Sequence, residues 1–132
     1  MILALALMAL EPASAERWNC EAPQTQIELN ACAGIDFRLA DAELNEEYAH
    51  AIAWALDDGR EERVRGDSRP SDEATLREAQ RAWIAFRDAQ CRLEGYAARG
   101  GSMEMMLYDR CRARLTRART AQVIATRRGE SR

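Results

Sequence analysis

The chain has few of the residues on which catalytic and metal sites are usually built. Its 132 residues include one histidine, His50, and no lysine, so that every basic residue is arginine. The four cysteines are separated by 11, 58 and 19 residues and form no C-x-x-C pair, whereas zinc sites normally have closely spaced ligand pairs. A nucleophilic serine or cysteine would have only His50 as its base. The sequence therefore predicts a protein that is not an enzyme and holds no metal or cofactor.

A long apolar run is also missing from the chain after residue 15, so we expect no membrane span in the mature protein. The apolar stretch 1–10 is shorter than the roughly 20 residues that span a bilayer. It precedes Ala13-Ser14-Ala15, which is a small-residue cleavage site. No basic residue comes before the stretch, and an N-terminal core helix is the alternative, although Pro12 would break it. We interpret residues 1–15 as a cleaved signal peptide and expect a periplasmic or secreted protein.

The even number of cysteines fits an oxidising compartment, where all four can pair. Four cysteines allow three pairings on sequence alone. Together with the predicted export, the absence of a basic patch interleaved with aromatic residues argues against nucleic acid as a partner.

Charge is distributed unevenly along the chain. Residues 16–76 carry 15 acidic and 6 basic residues, a balance of −9, whereas residues 77–132 carry 6 acidic and 13 basic residues, a balance of +7. We expect the two halves to pack together and neutralise each other through ion pairs between helices. The alternative is an acidic face that steers a cationic partner.

Apolar residues recur at helical spacing in three segments, at about 25–56, 72–97 and 103–127. The stripe predicted for the first is Leu29, Ala33, Phe37, Ala40, Leu44, Tyr48, Ala51 and Ala55. The stripe predicted for the second is Leu76, Ala79, Trp83, Phe86, Gln90, Leu93 and Ala97. The stripe predicted for the third is Leu107, Cys111, Leu115, Ala118, Gln122 and Ala125. Gly34 inside the first stripe indicates a kink or close packing.

Breaks between these segments set the predicted topology. Residues 57–71 are charged and contain two glycines and a proline, which is typical of a solvated loop. Gly100-Gly101 ends the second helix, and Ser102 is the predicted N-cap of the third. We therefore predict an all-α, up-down-up three-helix bundle at residues 16–128, with a flexible tail at 129–132.

Helix geometry favours one of the three disulfide pairings. Cys91 and Cys111 lie about ten residues before and after the Gly100-Gly101 turn, which places them at one level of an antiparallel pair. The few extended residues after Cys20 can carry it back beside Cys32. We predict disulfides Cys20–Cys32 and Cys91–Cys111.

In order and spacing, the motifs of this chain resemble those of the LprI-type lysozyme inhibitor family. The matching pieces run from about residue 20 to residue 124 and are Thr25-Gln26, Asn30-Ala31-Cys32, Ala40-Asp41, Leu44-Asn45, Tyr48, Leu76, Ala79-Gln80-Arg81-Ala82-Trp83-Ile84, Phe86-Arg87-Asp88, Cys91, Gly100-Gly101-Ser102, Cys111, Thr116 and Arg119. The resemblance implies a small, exported, helical, disulfide-bonded protein. The chain differs from the lipoprotein members of the family, because the residues before Cys20, Arg17-Trp18-Asn19, do not form a lipobox.

Polar residues beside the predicted stripes form two groups of interest. The first is expected to make a half-buried network that sets helix register, with Arg87 paired to Asp41, and consists of Asp41, Asn45, Gln80, Arg87, Thr116 and Arg119. The second comprises candidate contacts to a partner protein, namely Gly100, Gly101 and Ser102 in the turn and the acidic residues Glu43, Glu46, Glu47, Asp57 and Asp58.

The favoured function is that of an exported binding protein that inhibits lysozyme. Lysozyme is cationic and cleaves with two carboxylates in a cleft, so an acidic surface could attract it and an exposed turn could block the cleft. The alternative is a non-catalytic structural or stress-related module of the cell envelope that binds another protein or a cell-wall component. The sequence makes no prediction of oligomeric state.

Overall fold

The computed structural model describes residues 17–63 and 65–129. The predicted signal peptide at 1–15 and residues 130–132 of the predicted tail lie outside the described residues. The chain forms helix α1 at Gln26–Ala55, α2 at Asp58–Arg63, α3 at Asp72–Gly95 and α4 at Glu104–Arg128, with a 3₁₀ turn at Tyr96–Ala98 after α3. No strand occurs in the described part of the chain. The predicted all-α class is confirmed.

The three long helices run up, down and up, as predicted. Asn30 near the start of α1 binds the backbone of Ser102 just before α4, and Glu47 late in α1 binds Arg127 late in α4. Helices α1 and α4 are therefore parallel, and α3 runs antiparallel to both. Helix α4 packs against both of the others, whereas α1 and α3 make little contact with each other.

Helix α1 begins and packs as its sequence predicts. The Thr25 hydroxyl accepts a hydrogen bond from the backbone N–H of Glu28, and the Glu28 carboxylate accepts one from the backbone N–H of Thr25, which completes a capping box. Five members of the predicted stripe are buried, namely Ala33, Ala40, Leu44, Ala51 and Ala55. Because four of these five are alanine, α4 can approach α1 closely along the whole stripe.

The stripe predicted for the second helix is wrong in part. Its members Leu76 and Trp83 pack against the core, whereas Ala79, Phe86, Leu93 and Ala97 are exposed. Phe86 is 58% exposed and Leu93 is 65% exposed, while Gln80, Arg87 and Cys91 are buried. At 100° per residue, side chains two positions apart point about 200° apart. Once the disulfide turns Cys91 toward α4, Leu93 must face away from it.

Helix α4 buries more of its circumference than its predicted stripe because it lies between two helices. Its buried residues are Met106, Asp109, Cys111, Ala113, Thr116, Thr120 and Val123, while Ala118 and Gln122 of the predicted stripe are exposed. Val123 packs with Leu44 and Ala51 in the core, and the ring of Trp83 covers that cluster from α3.

Two local predictions are also corrected. The segment predicted as loop, 57–71, contains α2. The N-cap position of α4 is Met103 rather than Ser102, and its side chain makes no capping hydrogen bond. Instead the Glu104 carboxylate accepts a 2.7 Å hydrogen bond from the backbone N–H of Gly100, so the first turn of α4 is tied to the preceding turn.

Both predicted disulfides are confirmed, with Cα–Cα distances of 5.4 Å in Cys20–Cys32 and in Cys91–Cys111. The first ties the segment before α1 to the second turn of that helix. The second joins α3 to α4 inside the bundle, where both of its cysteines are buried.

Candidate functional site

The buried guanidinium of Arg87 joins the three long helices. Its side chain is only 8% exposed. Nη1 donates to Asp41 Oδ1 of α1 at 3.3 Å and to Thr116 Oγ1 of α4 at 3.4 Å, and Nε donates to Asp88 Oδ1 at 2.9 Å. Asn45 Nδ2 in turn donates to the other oxygen of Asp41 at 3.4 Å. These contacts fix the axial positions of the helices relative to one another.

Two aromatic rings contact the same guanidinium. The Cζ atom of Arg87 lies 5.1 Å from the centroid of the Phe37 ring and 5.0 Å from that of Trp83. A second arginine, Arg119, lies 5.8 Å from the Trp83 ring and donates from Nε to Gln80 Oε1 at 3.0 Å. Burial lowers the pKa of Arg119. The six polar residues predicted as a network thus form two groups, which meet at the indole of Trp83.

Ion pairs between helices neutralise part of the acidic first half. Arg117 of α4 donates to Asp36 of α1 at 3.0 Å, and this hydrogen bond is the main reason that the pKa of Asp36 is lowered. Arg127 donates to Glu47 at 3.1 Å. The acidic residues of α1 therefore present less free charge to a partner than the sequence count implies.

The candidate partner contacts lie in two separate regions. Gly100, Gly101 and Ser102 are exposed at the end of the bundle where α1 begins. Glu43 and Glu46 are exposed in the middle of α1, Glu47 is engaged by Arg127, and Asp57 accepts a hydrogen bond from the backbone of Gly59. The side chain of Asp58 lies outside the described part. At 1.5 Å per residue, Glu43 is about 20 Å along α1 from Asn30, which contacts the turn.

The turn between α3 and α4 is a well-anchored, exposed segment at one end of the bundle, which we call the tip and define as residues 96–103. Asn30 Nδ2 donates to the backbone oxygen of Ser102 at 2.9 Å, and Gly101 N–H donates to Ala98 O at 2.8 Å. Gly100 has a φ of 78°, which side-chain-bearing residues rarely adopt. Tyr96 and Met103 are exposed on the tip, so apolar surface is offered to solvent on a rigid support.

Sequence reasoning missed a groove of about 550 Å³ at the same end of the bundle. It is lined by the segment before α1, by the start of α1 and by the start of α4, and includes Trp18, Gly34 and Asp109. Of its lining residues, Gly34 was predicted as a site of a kink or close packing, and Asn30-Ala31 was noted as part of the family motif, but none was predicted to line a binding site. The signal that could have revealed the groove is a glycine on α1 that lies opposite an acidic residue of α4.

Neither a metal site nor a membrane span occurs among the described residues. No group of three or more histidine, cysteine, aspartate or glutamate residues in this part is arranged to hold a metal ion. None of its helices is long and apolar enough to cross a bilayer.

Comparison with known proteins gives a family model that matches residues 19–123 and is described as lysozyme inhibitor LprI. An uncharacterized protein of Rhizobium meliloti (strain 1021) is 43% identical over 123 residues, which cover 92% of this chain and 88% of that protein. No solved structure matches the chain. The family match spans both disulfides, the Arg87 contacts and the tip, and the chain belongs to the LprI lysozyme inhibitor family.

Proposed function

We propose that this protein acts outside the cytoplasm as a lysozyme inhibitor and that its tip enters the lysozyme cleft. The observation that carries the proposal is the family match over residues 19–123. Two disulfides are consistent with an oxidising compartment. The cleaved signal peptide predicted at residues 1–15 would supply the route of export.

The shape and anchoring of the tip favour it as the inhibitory element. Enzyme clefts are concave, so the element that blocks one must project from its own protein. Hydrogen bonds from Asn30 to Ser102 and from Gly100 to Glu104 hold the turn in one conformation before binding. A preorganised segment loses little conformational entropy on binding, and more of its contact energy therefore appears as affinity.

The exposed groups of the tip match the chemistry of the cleft. Tyr96 and Met103 are exposed, and aromatic and methionine side chains are enriched in protein interfaces. The guanidinium of Arg99 lies 4.4 Å from the centroid of the Tyr96 ring and makes no ion pair with any described side chain. It is therefore free to pair with a carboxylate, and the lysozyme cleft contains two.

The remaining acidic residues of α1 would act on the rate of encounter. Glu43 and Glu46 are exposed about 20 Å or more from the tip, too far to enter the cleft with it. A cationic lysozyme surface around the cleft would be attracted by them over that distance at low ionic strength. We expect their removal to slow association and to reduce its salt dependence, with little change in the dissociation rate.

The test is the clearance of a cell-wall suspension by lysozymes of several structural classes in the presence of the oxidised protein. We expect inhibition, and we expect a double variant of the tip, Arg99→Ala with Met103→Asp, to weaken it about 30-fold or more, as for loss of interface hot spots. Phe86→Asp on the outer surface of α3 is the matched control, since it also places a carboxylate on an exposed apolar position.

Two other outcomes would refute parts of this proposal. Undiminished clearance at a large molar excess of the protein, with every lysozyme, would refute lysozyme inhibition and favour the alternative of an envelope interaction module. Inhibition that survives the tip variant but is lost in Phe86→Asp would move the contact to α3 and refute the role of the tip.

A further inference from the structure

The groove beside Trp18 contains a buried carboxylate with one unused oxygen. The side chain of Asp109 is 10% exposed. Both of its hydrogen bonds from Arg112, from Nε at 3.1 Å and from Nη2, go to Oδ1. Across residues 17–63 and 65–129, no donor is bound to Oδ2. Oδ2 is open to solvent in the groove, so a ligand that donates a hydrogen bond can take the place of water there.

The missing side chain of Gly34 keeps this oxygen accessible from the groove. A Cβ atom at Gly34 would lie 3.4 Å from Asp109 Oδ2 and would cover it. The partner Arg112 is itself held in place, because its guanidinium stacks 3.7 Å from the Phe37 centroid and 4.2 Å from the Tyr108 centroid. The free oxygen of Asp109 is therefore a fixed acceptor at the floor of the groove.

Two guanidinium groups stand at the rim of the same groove. Arg38 Nη1 would lie 3.5 Å from a Cβ at Gly34, yet Arg38 forms no ion pair with Asp109 or with any other described carboxylate. Arg17 lies 5.4 Å from the centroid of the Trp18 ring and likewise has no acidic partner among the described residues. The rim thus offers hydrogen-bond donors, while the floor offers an acceptor.

This combination selects the hydrogen-bonding groups of a ligand. A cationic group offers no acceptor to the two guanidinium groups, and an anionic group offers no donor to the free oxygen of Asp109. A neutral ligand with several hydroxyl groups can donate to the carboxylate and accept from the guanidinium groups at the same time. The ring of Trp18 and the side chain of Met105 line the groove as well and offer apolar surface to the C–H face of a sugar ring.

We propose that this groove is a binding site for a neutral saccharide, with Asp109 as the acceptor at its floor and Trp18 as the stacking platform. Its volume of about 550 Å³ is in the range of small-molecule sites. The proposal goes beyond lysozyme inhibition and is independent of it, since it is tested with purified sugars and no lysozyme.

The experiment is an NMR titration of the ¹⁵N-labelled oxidised protein with neutral trisaccharides, cellotriose and triacetylchitotriose. The indole N–H signals of Trp18, Trp54 and Trp83 report on three separate places in the fold. We expect saturable shifts of the Trp18 signal alone. Trigalacturonate, which is anionic, and fully deacetylated chitotriose, which is cationic, should bind at least tenfold more weakly.

Four variants separate an effect on binding from an effect on folding. Gly34→Ala should weaken binding about tenfold or more by covering Asp109 Oδ2, and it should not lower the melting temperature because alanine favours helix over glycine. Arg38→Ala should also weaken binding, whereas the matched control Arg92→Ala, at an exposed arginine of α3, should not. Trp18→Ala should abolish binding, which the backbone amide signal of Gly34 in the same groove measures, and this variant serves if Gly34→Ala fails to fold.

Three results would overturn the proposal. The first is the absence of any Trp18 shift with either neutral trisaccharide, even near its solubility limit. The second is equal or tighter binding of a charged trisaccharide. The third is unchanged affinity in both Gly34→Ala and Trp18→Ala.

Discussion

Replacement of Arg87 by alanine tests whether one guanidinium sets the register of the bundle. Its partners lie on α1, on α3 and on α4, and they include the hydroxyl of Thr116, which is fully buried. In the Arg87→Ala variant these groups lose a shared donor, and Phe37 and Trp83 lose the cation that contacts both rings. We expect the variant to fold with markedly lower stability.

The size of the loss follows from the local contacts. Removal of two buried methylene groups costs about 1.6 kcal/mol, loss of the bond to Thr116 costs about 1 kcal/mol, and loss of two cation–π contacts costs about 1 kcal/mol. Asp41 adds little, since its side chain is 38% exposed and regains water when unpaired. The free energy of unfolding should fall by about 3.5 kcal/mol, a large share of the 5–15 kcal/mol typical of a domain.

Urea denaturation of the oxidised protein, followed by circular dichroism, measures this change. With a slope of about 1.5 kcal/mol per molar, the midpoint should fall by about 2 M urea. Arg87→Met keeps the aliphatic stem and should lose only about 2 kcal/mol. Arg92→Ala, at an exposed position of the same helix, should change stability by less than about 0.5 kcal/mol. A midpoint for Arg87→Ala within error of Arg92→Ala would refute the role assigned to Arg87.

Three further predictions concern the Cys91–Cys111 disulfide, the N-terminus of α1 and the stability of the protein at low pH. Replacement of Cys91 and Cys111 by serine opens a loop with a sequence separation of 20 and should cost about 3 kcal/mol in urea denaturation; an unchanged midpoint would contradict this. Thr25→Ala removes half of the capping box and should cost about 1 kcal/mol, whereas Thr25→Ser should restore most of it. The pKa values of Asp36 and Glu94 are lowered mainly by hydrogen bonds from arginines of α4, so their stabilisation is present above their unfolded pKa near 4 and is lost as pH falls through the folded pKa. Melting temperature measured between about pH 7 and about pH 2 should therefore fall below about pH 4, and by slightly less in the Asp36→Asn, Glu94→Gln double variant, because both side chains are exposed enough for solvent to screen them; parallel curves would show that these pairs do not contribute.

Helix α1 could be predicted from sequence because each of its signals agrees with the others. Thr25 and Glu28 have the spacing of a capping box, and the buried stripe from Ala33 to Ala55 is apolar at helical steps. Helix α3 could not be placed in the same way, since its most regular apolar stripe is not the one it buries. The disulfide was the better guide, because Cys91 facing α4 excludes Leu93 from that face.

Buried polar residues explain the remaining differences between the predicted and the observed helix packing. Periodicity counts apolar residues, yet α3 and α4 bury Gln80, Arg87, Asp109, Thr116 and Thr120, which such a count treats as surface. The pairing of Arg87 with Asp41 was predicted from sequence, but spacing did not give the bonds of Arg87 to Thr116 or of Arg119 to Gln80. The groove at Asp109 depends on three chain segments meeting, and no local pattern encodes that meeting.

The two disulfides leave the molecule as two separately crosslinked pieces. One bond closes a loop within the segment that leads into α1, and the other closes the α3–α4 hairpin, so only the peptide between Ala55 and Asp72 links α1 covalently to the hairpin. A protease cut there would leave the folded shape dependent on side-chain packing alone. On a non-reducing denaturing gel the nicked protein would then run as two bands, whereas a native gel would still show one particle.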